Sequence, residues 1–275
     1  MASNKFRDQC TGCQSWVEVD AGSVVGPHGG WQTYCPNCQP APPDRGDHDG
    51  WHMTPLASLD FETTGVDPCQ DRVVSYGLLG DKGGELVGLV NPGMPIPPRS
   101  SEVHGISDAQ VADAQSAAAG IAVVVDWVQS VIDRGAGLVV FNAPYDLTML
   151  RAEAERWGVH QPDWDRLYVV DPYVIDWGIE RGRLGKRKLT NVCDYYGVSI
   201  DNAHDATCDA RAAREVAVEM GARHSDIGAG SLAILAQRQR EWYAMRAEDW
   251  NEYAIRVDRS LNDPHGWPLS RTGGS

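Results

Sequence analysis

The chain has 275 residues, enough for one large domain with an appendage or for two modest ones. With 42% apolar and 23% charged residues it reads as a globular protein, and no apolar run approaches the length that spans a bilayer. A net charge of −14 excludes a general nucleic-acid-coating protein, whose affinity rests on many Lys and Arg contacts to phosphate, but not an enzyme whose carboxylates hold cations.

Seven cysteines, an odd number, argue against a secreted disulfide framework and for a reducing compartment. No basic segment followed by an apolar stretch opens the chain, so a cytoplasmic protein is expected. Residues 1–40 carry Cys10, Cys13, Cys35 and Cys38 in a C-x2-C-x21-C-x2-C arrangement around strand-like Trp16–Val19. Two knuckles of this kind, one of them Cys-Pro-Asn-Cys, supply four thiolates to a tetrahedral structural zinc ion. His28, His48 and His52 are expected to be loop residues, since four Cys already fill such a site. Residues 41–54 are rich in Pro, Gly and Asp and read as a linker.

The main domain is expected over 55–221. Strands are predicted at Leu56–Glu62, Val73–Leu79 and Glu85–Val90, the last two joined by the hairpin turn Asp81-Lys82-Gly83-Gly84. Ser107-Asp108-Ala109-Gln110 has the form of a capping box, and Ile121, Val124, Val125, Val128, Val131 and Ile132 follow helical spacing. A strand at Leu138–Phe141 leads into a helix with Leu147, Leu150, Ala154 and Trp157 on one face, ended by Gly158. A strand at Leu167–Val170 precedes further helices, including one from about Ala206 to Met220. Three strands followed by strands alternating with helices imply an α/β fold, a mixed sheet flanked by helices. Residues 222–275 should form a helical extension with Leu232, Leu235, Trp242, Met245 and Trp250 on an apolar face, then a frayed tail from 261.

Three short motifs carry chemistry. In Leu59-Asp60-Phe61-Glu62-Thr63-Thr64-Gly65 the strand period turns Leu59 and Phe61 to the core, leaving Asp60 and Glu62 on the other face, Cα atoms roughly 6.5–7 Å apart. Carboxylates so placed can hold hard divalent cations, and Thr63, Thr64 and Gly65 offer hydroxyls and backbone to a substrate. In Asn142-Ala143-Pro144-Tyr145-Asp146, Pro144 suits a first helical turn and puts Asp146 near a helix N-terminus. In His204-Asp205-Ala206-Thr207-Cys208-Asp209 a His opens a helix that contains an Asp, a base beside a metal ligand. Each motif alone also fits an ordinary acidic turn or helix start.

Together and in this order, the three motifs resemble the DnaQ-like family of DEDDh 3′–5′ exonucleases over about Leu56 to Gly221. Val103-His104-Gly105-Ile106, Asn142 and Lys188-Leu189-Thr190-Asn191-Val192-Cys193-Asp194-Tyr195-Tyr196-Gly197 match as well; Tyr145 departs, Phe being usual. The resemblance implies an RNase H-like domain and metal-dependent hydrolysis from a 3′ end. Asp60, Glu62, Asp146 and Asp209 would hold two Mg²⁺ or Mn²⁺ ions, and His204 would be the general base. Thr63, Thr64, Gly65, His104 and Asn142 would contact the terminal nucleotide. The basic run Arg181 to Lys188, with Lys186, Arg187 and Lys188 foremost, could be a solvated loop or could steer the substrate backbone. The expected substrate is a single-stranded or frayed 3′ end of DNA. An exoribonuclease, or an adaptor that only holds the end, stays open, as does a polymerase or replication partner in a bacterium or in a phage-infected host.

Overall fold

The computed structural model describes residues 4, 6–25, 32–38, 41–181, 186–201 and 204–270. In the N-terminal unit β1 (Asp8–Gln9) pairs antiparallel with β2 (Trp16–Val17), and β3 (Ser23–Val25) with β4 (Gln32–Tyr34). Cys10 and Cys13 lie in the turn between β1 and β2, and Cys35 and Cys38 follow β4. The rest of the chain runs through β5 (Leu56–Thr63), β6 (Val73–Leu79), β7 (Glu85–Asn91), α1 (Pro98–His104), α2 (Asp108–Val111), β8 (Gln115–Ser116), α3 (Ala117–Asp133) and β9 (Gly137–Val139). It continues with α4 (Ala143–Trp157), β10 (Tyr168–Val170), α5 (Pro172–Ile179), α6 (Leu189–Tyr196), α7 (Ala206–Arg223), α8 (Ser225–Gly228) and α9 (Leu232–Arg256).

The sheet order is β10-β9-β5-β6-β7-β8, with β5, β6 and β7 antiparallel in succession and β9 and β10 parallel to β5. Helices cover both faces. Leu59 and Phe61 of β5 join Ile121, Val125 and Val128 of α3 and Leu147 and Leu150 of α4 in one core. On the other face Leu56 and Val139 pack with Val192 of α6 and Val216, Ala217 and Met220 of α7. Each of these buried Val, Leu, Ile, Met and Phe side chains contributes about 1.5–3 kcal/mol. The period of β5 thus separates a dry face from the face that carries Asp60 and Glu62.

The helix starts follow local chemistry. Ser107 and Gln110 close the expected capping box on α2, while α3 starts afresh at Ser116, whose hydroxyl accepts the Ala119 N–H. Gly158 ends α4 in left-handed backbone. The hairpin between β6 and β7 turns on Gly83 and Gly84, both at positive φ.

Three expectations are corrected. The 41–54 segment is no free linker: Trp51 is fully buried, its indole N–H donates to the Ile227 carbonyl, and Arg45 pairs with Glu219. The tail is not frayed as far as 270. Trp267 is buried, and the Ser270 N–H donates to Thr148 Oγ1 at 2.9 Å. On α9 the buried side is Leu232, Leu235, Ala236, Gln239, Tyr243 and Ala247, whereas Met245 and Trp250 are exposed, as is Trp157 on α4. No helix of the described residues is long and apolar enough to cross a membrane.

Candidate active site and metal centres

Three elements converge above β5. The strand presents Asp60 and Glu62, the first turn of α4 presents Asp146, and the first turn of α7 presents Asp209 just after His204. Carboxylate oxygens of Asp60, Glu62 and Asp209 lie within 4.8 Å of one another. Asp146 stands beside them at the head of α4, its Oδ1 accepting the Phe61 N–H of β5 at 3.1 Å. The approach of α7 depends on Gly77 of β6, opposite Asp60 in the sheet: a Cβ there would sit 2.4 Å from the Ala206 carbonyl carbon.

Crowding sets the electrostatics. Burial, then the charges of Asp146, Asp209 and Glu62, holds Asp60 well above the usual carboxylate range. Burial and Asp209 push Glu62 up to about 8. Burial also pushes Asp146 up to about 8, against the pull of the Phe61 N–H, and it raises Asp209. Asp209 Oδ1 is buried without a hydrogen-bond partner, while Oδ2 accepts the His204 N–H at 3.2 Å. Packed acids with an orphaned oxygen are the donor set of a hard divalent cation.

Next to the acids lies a cleft of about 500 Å³, lined by Glu62 to Val66 of the β5 end, Arg99, Ser100, Val103 and His104 of α1, and Tyr145 of α4. His104 Nδ1 accepts the Ile106 N–H at 3.1 Å, which puts the ring proton on Nε2. Burial holds this imidazole below its usual pKa, so it is a neutral donor, with the Thr63 backbone acting on it in the opposite sense. The threonine hydroxyls are not available as expected. Thr63 Oγ1 donates to the Gly65 carbonyl and also contacts the Tyr145 hydroxyl, which itself donates to Gly65. Thr64 Oγ1 donates to Asp71 and accepts the Arg72 N–H. These bonds shape the loop and engage the Gly65 carbonyl, as the Ser100 hydroxyl engages that of Thr64 at 2.7 Å.

The other expected residues fall as follows. His204 is exposed, in left-handed backbone (φ 72°), immediately ahead of the Asp205 cap of α7. Asn142 is exposed at the head of α4 and does not line the cleft. Lys186 and Lys188 are exposed. Arg187 is corrected from a substrate contact to a structural cation: its side chain is 8% exposed, and it pairs with buried Asp176 at 2.7 Å. Arg181 lies over the Trp177 ring and pairs with Asp249. Residues 182–185 of the basic run, and His28, lie outside the described residues. His48 and His52 pack against each other, ring centroids 5.1 Å apart, with His48 Nε2 at the Gly221 carbonyl. The sequence reading missed Arg99 and Ser100, although they share α1 with the noted His104. It also missed Asp171, whose carboxylate accepts the first N–H groups of α4.

In the N-terminal unit the sulfurs of Cys10, Cys13, Cys35 and Cys38 also lie within 4.8 Å of one another. N–H bonds from Cys35 and Cys13 lower Cys10 to about 6, whereas hydrogen bonding with Cys13 and Cys35 pushes Cys38 up to about 12. Four sulfurs at this separation fit one tetrahedral cation.

Known proteins decide the family. The exonuclease family RNase T matches residues 58–217. This chain belongs to that family. It is 28% identical over 181 residues to the PolC-type DNA polymerase III of Thermotoga maritima, covering 64% of this chain and 12% of that protein. It is 29% identical over 176 residues to the DNA polymerase III subunit epsilon of Treponema pallidum, covering 62% of this chain and 78% of that one. The match spans about an eighth of the PolC-type relatives. Among solved structures, E. coli exonuclease I in complex with a dT13 oligonucleotide superposes with a TM-score of 0.52 at 18% identity, over 62% of this chain and 42% of that chain. The RNase T/DnaQ-like exonuclease domain therefore has the RNase H-like fold, with a four-cysteine cluster ahead of it.

Proposed function

We propose that this chain is a divalent-metal-dependent 3′–5′ exonuclease that removes nucleotides from single-stranded or frayed 3′ ends of DNA. The observation that carries the reading is the convergence of Asp60, Glu62 and Asp209 from two distant elements beside a cleft of nucleotide size. Asp60, Glu62 and Asp209 would hold one Mg²⁺ or Mn²⁺ ion, and Asp60 with Asp146 a second. Such ions, when bound, neutralise phosphate oxygens and stabilise a leaving alkoxide. The backbone of Thr63 to Gly65 and the Nε2–H of His104 would grip the terminal nucleotide, and Arg99 its phosphate side. His204 would take the proton of the attacking water as the P–O bond to the penultimate 3′ oxygen breaks, releasing a nucleoside 5′-monophosphate. Kinship with DNA polymerase III proteins supports DNA as the polymer and a polymerase as a partner. The N-terminal unit would be a zinc ribbon, and metal analysis of the purified chain should find about one zinc per molecule. Finding none would remove the ribbon.

Digestion of matched end-labelled DNA and RNA oligonucleotides with Mg²⁺ or Mn²⁺ tests the activity. DNA should shorten stepwise from its 3′ end, single strands faster than duplexes. Asp209→Asn should abolish the ladder, and His204→Ala should slow it by about 10²–10⁴-fold, the usual contribution of a proton-transfer group. Shortening from the 5′ end, or a strong preference for RNA, overturns the reading.

A further inference from the structure

We infer that the C-terminal segment, beyond the residues matched by the family, completes the active site: Trp267 and Gln239 hold Asp171, which in turn holds the helix head that carries Asp146. A helix start leaves N–H groups without partners inside the helix. The head of α4 is not capped by its own Asn142, which is in left-handed backbone and makes no side-chain cap. Asp171, from the turn after β10, caps it instead. Its Oδ1 accepts the Asn142 N–H at 2.8 Å and the Tyr173 N–H at 3.1 Å. Its Oδ2 accepts the Ala143 N–H at 3.0 Å and the Trp267 indole N–H at 3.1 Å. The carboxylate is fully buried, so these four donors replace its water, and losing one leaves a buried acceptor short.

The C-terminal segment grips the same turn twice more. Gln239 of α9, fully buried, accepts the Asp171 N–H at 2.6 Å and donates to the Val169 carbonyl at 2.9 Å. Beyond Trp267, the Ser270 N–H donates to Thr148 Oγ1 and the Ser270 carbonyl accepts from Arg151, both on α4. The family match ends at 217, so all of these C-terminal groups lie outside it. Asp146 stands only three residues into α4, fixed on the other side by the Phe61 N–H. Misplacement of a reacting group by about 1 Å can cost about 10²-fold in rate. Trp267 and Gln239 are therefore positioning residues.

The experiment compares the full chain with Trp267→Phe, which keeps the ring and removes one N–H. Only its activity arm rests on the exonuclease reading. We expect Mn²⁺ affinity, measured by electron paramagnetic resonance without substrate, to weaken about tenfold, as for the loss of a supporting hydrogen bond around a metal site. Amide exchange should quicken at residues 142, 143, 145 and 146 and stay unchanged along β5. Turnover should drop about three- to tenfold with KM held, the pattern of a displaced catalytic group. A lower Tm with unchanged Mn²⁺ affinity and exchange would make the segment a stabiliser only and overturn the inference; so would no change at all. Should Trp267→Phe not fold, Thr148→Val takes its place: it removes the acceptor of the Ser270 N–H, and weakened Mn²⁺ affinity with faster exchange at the same residues supports the inference, while unchanged values overturn it. If the unaltered chain hydrolyses no oligonucleotide, the exonuclease reading fails, while Mn²⁺ binding and exchange still decide the inference.

Discussion

Asp60, Glu62, Asp146 and Asp209 all hold protons above the usual carboxylate range, Glu62 and Asp146 at about 8. Between roughly pH 4, where unfolded carboxylates titrate, and that value, the folded chain binds more protons than the unfolded one. Stability from these groups is therefore complete at low pH and is lost as pH rises through the raised values. Half-buried His52 and His224, held low by desolvation, act in the opposite sense, their contribution being lost as pH falls. Asp60→Asn isolates the acid cluster. Without Mg²⁺ or Mn²⁺, the unaltered chain should melt at lower temperature at pH 8 than at pH 6.5, and Asp60→Asn should flatten that slope and raise the pH 8 Tm. Adding Mn²⁺ at pH 8 should stabilise the unaltered chain and not the variant. Equal slopes for the two would mean that the acids do not repel one another. The pairing of Asp60 with Glu62 was legible because a strand has period two. Asp171 and the hydroxyl bond of Tyr145 were not, since their roles come from backbone groups on other elements that no local pattern announces.

Among the elements, α7 delivers Asp209, and Gly77 permits its approach. A Cβ at this position would meet backbone on α7, 2.4 Å from Ala206 and 2.5 Å from Thr207, where no flexible side chain can yield. Gly77→Ala should keep the fold, because Val216, Ala217 and Met220 anchor α7 further along, yet lift its first turn off the sheet. A loss of about 1–3 kcal/mol in denaturant unfolding is expected for such overpacking. Turnover should fall by more than tenfold as Asp209 leaves Asp60. Wild-type turnover in a destabilised variant would show that the head of α7 can sit elsewhere. The three long strands were readable from alternation and turn residues. The C-terminal tail was not: Asn262, Asp263, Pro264 and Gly266 read as loop, and the burial of Trp267 depends on Asp171, 96 residues away. The Pro- and Gly-rich stretch before β5 misled for the same reason, since it is held by Glu219 and Ala222 of α7 and Ile227 of α8.

For the whole molecule, charge sets how a polyanion can be held. The chain carries 38 acidic against 24 basic residues, and Arg181 and Arg187 of its densest basic run are committed to Asp249 and Asp176. Among the described residues of the cleft and of this run, Arg99 with exposed Lys186 and Lys188 leaves about three cations for phosphate on the proposed reading. Counterion release from a single strand goes as about 0.7 per neutralised phosphate in log–log slope, so KM should rise by at most about 20-fold between 50 and 200 mM KCl. A protein gripping six to ten phosphates would lose about 10³–10⁵ in affinity over a comparable range. The divalent ions held by Asp60, Glu62, Asp146 and Asp209 would supply the remaining attraction at the terminal phosphate itself. KM for a labelled single strand, measured at fixed Mg²⁺ while KCl is varied, checks this. Lys186→Ala with Lys188→Ala should flatten the slope further and leave turnover at saturating substrate unchanged. A slope as steep as that of a coating protein would mean that a basic surface beyond these residues carries the strand, and the charge argument would fail.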